Sequence, residues 1–163
     1  MKINWPLMIS ALVTGFLCGL WAGVAPRLNL SIWAGFAGCT AYFASGKHQL
    51  EGIKMTLYTT LLGSFTAFAM IWSGDNILSF LSPNMATGIA VGIIVGLIVL
   101  CGALDFVAFV PGIFVGCYSY FAIDGQWPLL IASLIAGTFL GWACDQGGTS
   151  LTQRLGLSQA PSQ

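Results

Sequence analysis

Long apolar stretches separated by short polar connections dominate the hydropathy pattern of the chain. Cutting the sequence at its charges and turn residues leaves six segments of about 18 to 20 residues, the length a helix needs to cross a hydrocarbon core. The segments lack the two-residue alternation of membrane strands, and open sheet edges are not stable in lipid. We therefore predict an all-α integral membrane protein with six transmembrane helices. The predicted segments run near 6–25, 28–45, 55–72, 85–103, 106–123 and 127–144.

A seven-residue motif occurs twice, once in the second segment and once in the fifth. Gly38-Cys39-Thr40-Ala41-Tyr42-Phe43-Ala44 returns 78 positions later as Gly116-Cys117-Tyr118-Ser119-Tyr120-Phe121-Ala122. The first and fourth segments share a Gly-xxx-Gly-xxx-Gly ridge, which starts at Gly15 and at Gly88. The third and sixth segments also correspond, since Gly63 returns at an offset of 74 as Gly137. The two halves of the chain are therefore predicted to be repeats.

Three helices in each repeat imply that the second repeat enters the membrane upside down. Such inverted repeats are related by a pseudo-two-fold axis in the membrane plane, and transport sites lie where the repeats meet. We predict one membrane domain, with repeat 1 at about 6–72, repeat 2 at about 85–145 and a polar cytoplasmic tail at 146–163. With the N-terminus inside, four Lys and Arg residues lie on the inner face and only Arg27 on the outer face. This asymmetry favours cytoplasmic termini.

Composition excludes several other classes of protein. The chain is 57% hydrophobic and only 6% charged, whereas a soluble domain carries about 25% charged residues. Five basic and five acidic residues cancel, so no nucleic-acid partner is predicted. One His and five Cys without a Cys-x-x-Cys motif argue against a metal, redox or cofactor site, and the cysteines are interpreted as small packing residues. No nucleophile accompanies the polar group of His48, Glu51 and Lys54, so we predict that the protein is not an enzyme.

The repeated motif supplies the candidate substrate path. Phe36 and Phe114 are each ninth in an 18-residue segment, which places both near the bilayer centre as the predicted constriction. Glycines on the other side of each helix would allow close packing, and a purely structural role for all these residues is the alternative. The remaining candidates flank the constriction or supply hydroxyls to a passing solute. They are Cys39, Tyr42, Phe43, Cys117, Tyr120, Phe121, Thr59, Ser64, Ser133 and Thr138.

Charges at the two mouths of the path and the absence of charge within it limit the transported solute. Arg27 and Asp105 precede the two motif helices, and Arg27 could attract an anion or simply extend to the membrane interface. No ionisable residue is predicted well inside a span, so proton coupling is not expected. We predict a channel or facilitator for a small neutral polar solute or a small monovalent anion. Because one small chain has little room for a sealed pore, a homo-oligomer in the bilayer is expected, with three or six subunits. The alternative is a non-transporting scaffold or partner subunit.

Two stretches of sequence resemble a known family. The run from Ser31 to Ala44 (Ser-Ile-Trp-Ala-Gly-Phe-Ala-Gly-Cys-Thr-Ala-Tyr-Phe-Ala) and the segment Phe109-Val110-Pro111-Gly112 are similar to the YcdZ-like bacterial inner-membrane proteins, a domain family of unknown function. The resemblance covers most of the chain and weakens in the connection before residue 85 and in the tail. It implies a location in the bacterial inner membrane and supplies no substrate or catalytic residue.

Overall fold

Helices and short turns make up the part of the chain that the computed structural model describes, which is residues 4–104, 107 and 109–157. No strand occurs within these residues. The α-helices are α1 (Trp5–Val24), α2 (Ile32–Ala44), α3 (Gln49–Asn76), α4 (Pro83–Cys101), α5 (Val110–Ala122) and α6 (Trp127–Arg154), and a 3-10 turn (Ala25–Leu28) follows α1. The prediction of an all-α fold is confirmed.

Prolines and capping side chains explain where several helices begin. Four helices carry a proline in their first two positions, where the missing N–H has no partner within the helix. At the start of α1, the Asn4 side chain accepts a hydrogen bond from Leu7 N at 3.2 Å. At the start of α2, Ser31 Oγ accepts from Ala34 N at 3.4 Å. These residues fix the helix ends through local chemistry.

The six helices differ in length more than the apolar segments of the sequence do. In the described residues, α1 with its 3-10 turn, α3, α4 and α6 are long and apolar enough to cross a membrane. Helices α2 and α5 have 13 residues each, about 20 Å at 1.5 Å per residue, which is less than the roughly 30 Å of a hydrocarbon core. Six predicted spans thus correspond to four full-length helices and two shorter apolar ones.

Helices from opposite halves of the chain form the closest pairs. Helix α2 packs along α6, and α3 packs along α5. Helix α1 lies against α6, while α4 lies against α3. The apolar windows of α3 and α6 are each 39% buried, compared with 0% for α1 and 17% for α4. The centre of the protein is therefore formed by α2, α3, α5 and α6, with α1 and α4 at the periphery.

Two helices continue beyond the ends that hydropathy predicts. Helix α3 begins at Gln49 instead of near residue 55, and α6 runs to Arg154 instead of ending near residue 144. A Cβ added at Gly148 would lie 2.7 Å from Ser10 Oγ, and one added at Gly147 would lie 2.9 Å from Val13 Cγ1. This close packing against α1 keeps the first part of the predicted polar tail helical. Hydropathy misses it because the residues involved are polar or small.

Candidate functional site

Equivalent backbone contacts join the two motif helices to their partners. A Cβ added at Gly38 in α2 would lie 2.6 Å from the carbonyl oxygen of Leu134 in α6. One added at Gly116 in α5 would overlap the carbonyl oxygen of Thr60 in α3. These two contacts are equivalent in the repeat, since Gly116 lies 78 positions after Gly38 and Thr60 lies 74 positions before Leu134. The same offsets relate a second pair of overlaps, Gly137 with Gly35 and Gly63 with Ile113.

Each motif helix has a buried glycine face and an exposed aromatic face. Gly35, Gly38 and Tyr42 are buried on α2, while Thr40 and Phe43 are exposed and Phe36 is half-buried. Helix α5 repeats this division. Gly112, Gly116 and Tyr120 are buried, whereas Phe114, Tyr118 and Phe121 are exposed.

The predicted path residues therefore separate into two sets. The cysteines and tyrosines among them, Cys39, Tyr42, Cys117 and Tyr120, lie in the protein interior, and their phenylalanine neighbours lie on its outer surface. Within one chain, the aromatic faces of α2 and α5 form part of the surface. A path lined by these faces would need to be enclosed by further chains.

The hydroxyl groups predicted to bind solute are buried and bond to the backbone. Thr59 Oγ1 donates to Met55 O at 2.8 Å, and Thr138 Oγ1 donates to Leu134 O at 2.8 Å. Ser64 Oγ donates to Thr60 O at 2.9 Å and lies 3.3 Å from Gly116 O. Ser133 Oγ accepts from Ser31 N at 2.9 Å. These four side chains are fully buried. The contacts of Ser64 and Ser133 reach another helix or its cap, whereas the bonds of Thr59 and Thr138 stay within one helix.

A polar cluster that the sequence does not reveal lies where α2 ends and α3 begins. The hydroxyl of the buried Tyr42 donates to Asp145 Oδ2 at 3.0 Å. His48 Nδ1 lies 3.0 Å from the same oxygen. The side chain of Asp145 is only 13% exposed, whereas that of His48 is 74% exposed. The hydroxyl of Tyr42 thus has a hydrogen-bond partner in the largely buried carboxylate of Asp145.

Three cysteines from three helices come together next to this cluster. The Sγ atoms of Cys18 (α1), Cys39 (α2) and Cys144 (α6) all lie within 4.8 Å of one another. Cys39 and Cys144 are buried, and Cys18 is half-buried. Cys117, the repeat equivalent of Cys39, has different partners, since its Sγ lies 3.1 Å from both Gly63 O and Thr66 Oγ1.

Of the two predicted mouth charges, the structure describes Arg27. Arg27 is exposed in the 3-10 turn after α1, at the end of a shallow groove of about 480 Å³ along that helix. The groove floor contains Gly15, Gly19 and Gly23, and a Cβ added at any of the three meets nothing within 4 Å. Asp105 lies outside the described residues.

Sequence reasoning missed both the thiol cluster and the Tyr42–Asp145 bond for the same reason. Both depend on a residue of α6, Cys144 or Asp145, which lies about 100 residues from its partners in α1 and α2. The repeat gives no hint of either feature, because the positions equivalent to Cys144 and Asp145 at the offset of 74 hold Met70 and Ile71. The one sequence signal was that Asp145 directly follows an apolar segment.

Comparisons with known proteins agree with the membrane character of the fold. The family described as "Protein of unknown function (DUF1097)" matches residues 11–149. The chain is 36% identical over 150 residues to "Inner membrane protein YcdZ" of Escherichia coli (strain K12), covering 91% of this chain and 89% of the relative. It is 35% identical to the protein of the same name from Salmonella typhimurium (strain LT2), covering 91% of each.

A more distant relative also matches along most of its length. "Uncharacterized protein YahC" of Escherichia coli (strain K12) is 24% identical over 156 residues, covering 90% of this chain and 93% of the relative. No solved structure matches the chain significantly. With matches that extend over nearly all of both chains, this protein belongs to the DUF1097 family of YcdZ-like inner membrane proteins, whose function is unknown.

Proposed function

We propose that the protein is an oligomeric inner-membrane channel or facilitator for a small neutral polar solute or a small monovalent anion. In this proposal the chain crosses the membrane six times as two inverted repeats, with both termini in the cytoplasm. The observation that carries the proposal is the pair of equivalent contacts at Gly38 and Gly116. Inverted repeats of this kind are typical of transport proteins, which place their path near the pseudo-two-fold axis.

The directions of the helices support the inversion. Along α2, Gly35 and Tyr42 lie opposite Gly137 and Asp145 of α6, so these two helices run in parallel. Only residues 45–48 connect α2 to α3, so we infer that α3 turns back and runs against α2. Helix α5 packs in parallel with α3, as the order of their contacts indicates. The two motif helices would then have opposite directions, as an inverted repeat requires.

The short helices α2 and α5 are compatible with membrane insertion because of where they pack. Each is backed over its glycine face by a 28-residue helix, α6 or α3 respectively. Loops at membrane depth are tolerated where protein or a water-filled cavity, and not lipid, surrounds them. Short helices next to a path are thus consistent with transport.

We further propose that the peripheral helices join subunits into a closed ring of three or six. Among the residues that the structure describes, the glycine ridges of α1 and α4 have no partner helix, since a Cβ added at Gly19 or Gly92 meets nothing within 4 Å. Ridges of this type allow close helix packing in membranes. Because α1 and α4 flank opposite sides of the core, pairing α1 of one subunit with α4 of the next is a head-to-tail contact, which can close into a ring.

In such a ring, the exposed aromatic faces of α2 and α5 would line the central path. In the proposed inverted repeat the pseudo-two-fold axis would pass between these helices, so a ring that places them innermost would bring Phe36 and Phe114 of every subunit to the centre. Thr40 and Tyr118 lie on the same faces and would supply hydroxyls to a solute that sheds water. These faces carry no charge, which favours a neutral or singly charged solute.

Solute flux in vesicles tests the proposal. Phe36→Ala and Phe114→Ala should each change the swelling rate of vesicles that contain the purified protein, measured with urea, short diols, formate and nitrite. Phe65→Ala is the matched control, because Phe65 is a 65% exposed phenylalanine on α3 away from the proposed path. Wild-type vesicles that swell no faster than protein-free vesicles with every solute would contradict the proposal. So would equal effects of all three substitutions.

A non-transporting scaffold or partner subunit is the second candidate. It is supported by the interior of the chain, where Thr59, Ser64 and Thr138 bond to helix backbone and not to a path. This candidate predicts no flux above background. It also predicts that a second membrane protein copurifies in fixed proportion, whereas the channel proposal predicts a complex of this chain alone.

A further inference from the structure

We propose that Cys18, Cys39 and Cys144 form a binding site for a soft monovalent metal ion, with Cu(I) as the representative ion. The three thiols come from α1, α2 and α6 and meet where these helices pack together, with Cys39 and Cys144 buried. This site is distinct from the proposed solute path, because Cys39 and Cys144 are buried within the chain, whereas Thr40 and Phe43 of the aromatic face of α2 are exposed.

The spacing of the sulfur atoms suits three-fold coordination. The three Sγ atoms lie within 4.8 Å of one another. In a planar three-sulfur site with metal–sulfur bonds of about 2.3 Å, as in zinc thiolate sites, the sulfur atoms are about 4.0 Å apart. A movement of less than about 1 Å, within the reach of rotations about the Cys side-chain bonds, would bring all three onto one ion.

The repeat shows that packing alone does not require three thiols here. The offsets of the repeat relate Cys18, Cys39 and Cys144 to Val91, Cys117 and Met70. Two of these three equivalent positions thus hold residues without a thiol. The remaining thiol, Cys117, donates to the backbone carbonyl of Gly63. Three thiols therefore converge in only one of the two equivalent sets of positions.

The donor set favours a soft monovalent ion over other metals. Structural zinc sites use four ligands, and iron–sulfur clusters are usually held by four cysteines. Within the described part of the chain, this group offers three sulfur atoms and no imidazole or carboxylate. Soft thiolate ligands select Cu(I), zinc and iron–sulfur clusters, and of these Cu(I) best suits a set of three sulfur ligands.

Binding at this site is coupled to the release of protons, because cysteine binds a metal ion as the thiolate. Coordination by all three sulfur atoms releases three protons to solvent. The apparent affinity for Cu(I) should therefore rise with pH.

Competition for Cu(I) tests the site in the full-length protein, purified in detergent, reduced and kept free of oxygen. The wild type should remove one Cu(I) per chain from a chromogenic Cu(I) chelator. X-ray absorption should show three sulfur neighbours at about 2.3 Å. Cys18→Ser, Cys39→Ser and Cys144→Ser should each weaken binding by at least about tenfold, because even the loss of an outer-shell partner costs about 10–100-fold.

Cys101→Ser is the matched control, since Cys101 is an exposed cysteine outside the group and its loss should leave binding unchanged. Cys18→Ser is the most informative variant because Cys18 is only half-buried, so the fold should tolerate the change. The melting temperature of each variant separates lost binding from lost structure. Failure of the wild type to bind stoichiometric Cu(I) would overturn the proposal. So would equal loss in Cys101→Ser, or a disulfide within the trio that persists under reduction and blocks binding.

Discussion

At the scale of single residues, Asp145 is the most informative position that the hydropathy pattern does not identify. Its carboxylate accepts the hydrogen bond of Tyr42, which is only 1% exposed. A buried hydroxyl that loses its partner carries a larger cost than an exposed ion pair that is broken. The interaction of Asp145 with buried Tyr42 should therefore contribute more to the free energy of unfolding than its interaction with exposed His48.

We expect Asp145→Ala to lower the free energy of unfolding by about 1–3 kcal/mol, because it leaves the Tyr42 hydroxyl without its acceptor. His48→Ala should cost less than about 1 kcal/mol, since the His48 side chain is mostly exposed to solvent. Denaturant unfolding in detergent micelles measures both values. Asp145→Asn keeps an acceptor oxygen and should resemble the wild type more closely than Asp145→Ala does. Equal losses for the alanine variants at positions 48 and 145 would disprove this ranking.

At the scale of helices, the same residue type has two different roles. The glycines of the inner helices allow backbone contact between α2 and α6 and between α3 and α5. Those of α1 and α4 face open space. The sequence predicts both sets as packing surfaces from their spacing, but spacing cannot say which ridge has a partner within the chain. That distinction depends on which helices are neighbours.

Adding one methyl group separates these two roles. Gly116→Ala and Gly137→Ala should each destabilise the fold by about 1–3 kcal/mol, because the new Cβ overlaps a backbone carbonyl that cannot move independently. Gly92→Ala should be neutral or stabilising by up to about 1 kcal/mol, since alanine has the higher helix propensity and nothing lies within 4 Å. Thermal unfolding of the three variants in detergent provides the comparison. A destabilisation by Gly92→Ala as large as that by Gly116→Ala would contradict this assignment.

At the scale of the whole molecule, the two halves of the chain are interlocked. The motif helix of each half packs on the last helix of the other half, so neither half retains its main contacts alone. Sequence repetition predicts that the halves are similar, and the equivalent contacts at Gly38 and Gly116 agree with this. The proposed inversion also predicts that the two halves cross the membrane in opposite orientations.

Labelling from the two sides of the membrane tests that orientation. In a Cys101→Ser background, Arg27→Cys should react with a membrane-impermeant maleimide in intact cells, because both termini are proposed to be cytoplasmic. Leu104→Cys, exposed at the end of α4, should react only in inside-out vesicles. The background chain without either new cysteine is the control for labelling of the remaining thiols. Reaction of both positions from the same side would refute the inverted topology.

The sequence by itself determined the helical fold, the apolar character and the family, and it predicted the repeat. These properties depend on local composition, periodicity and spacing, which can be read from residues close together in the chain. It also predicted the glycine face of each motif helix, because Gly35 and Gly38 lie on one side of the same helix as Tyr42.

Tertiary structure alone decided which residues meet across the helices. It placed Phe36 and Phe114 away from the buried tyrosines. It also brought Ser64 to the carbonyl oxygen of Gly116 and gave Tyr42 its partner in Asp145. It also brought together the thiols of Cys18, Cys39 and Cys144. These contacts join residues from distant parts of the chain. They depend on which helices pack against each other, which nearly uniform apolar surfaces do not specify. In this protein the packing depends on the close backbone approach at a few glycines.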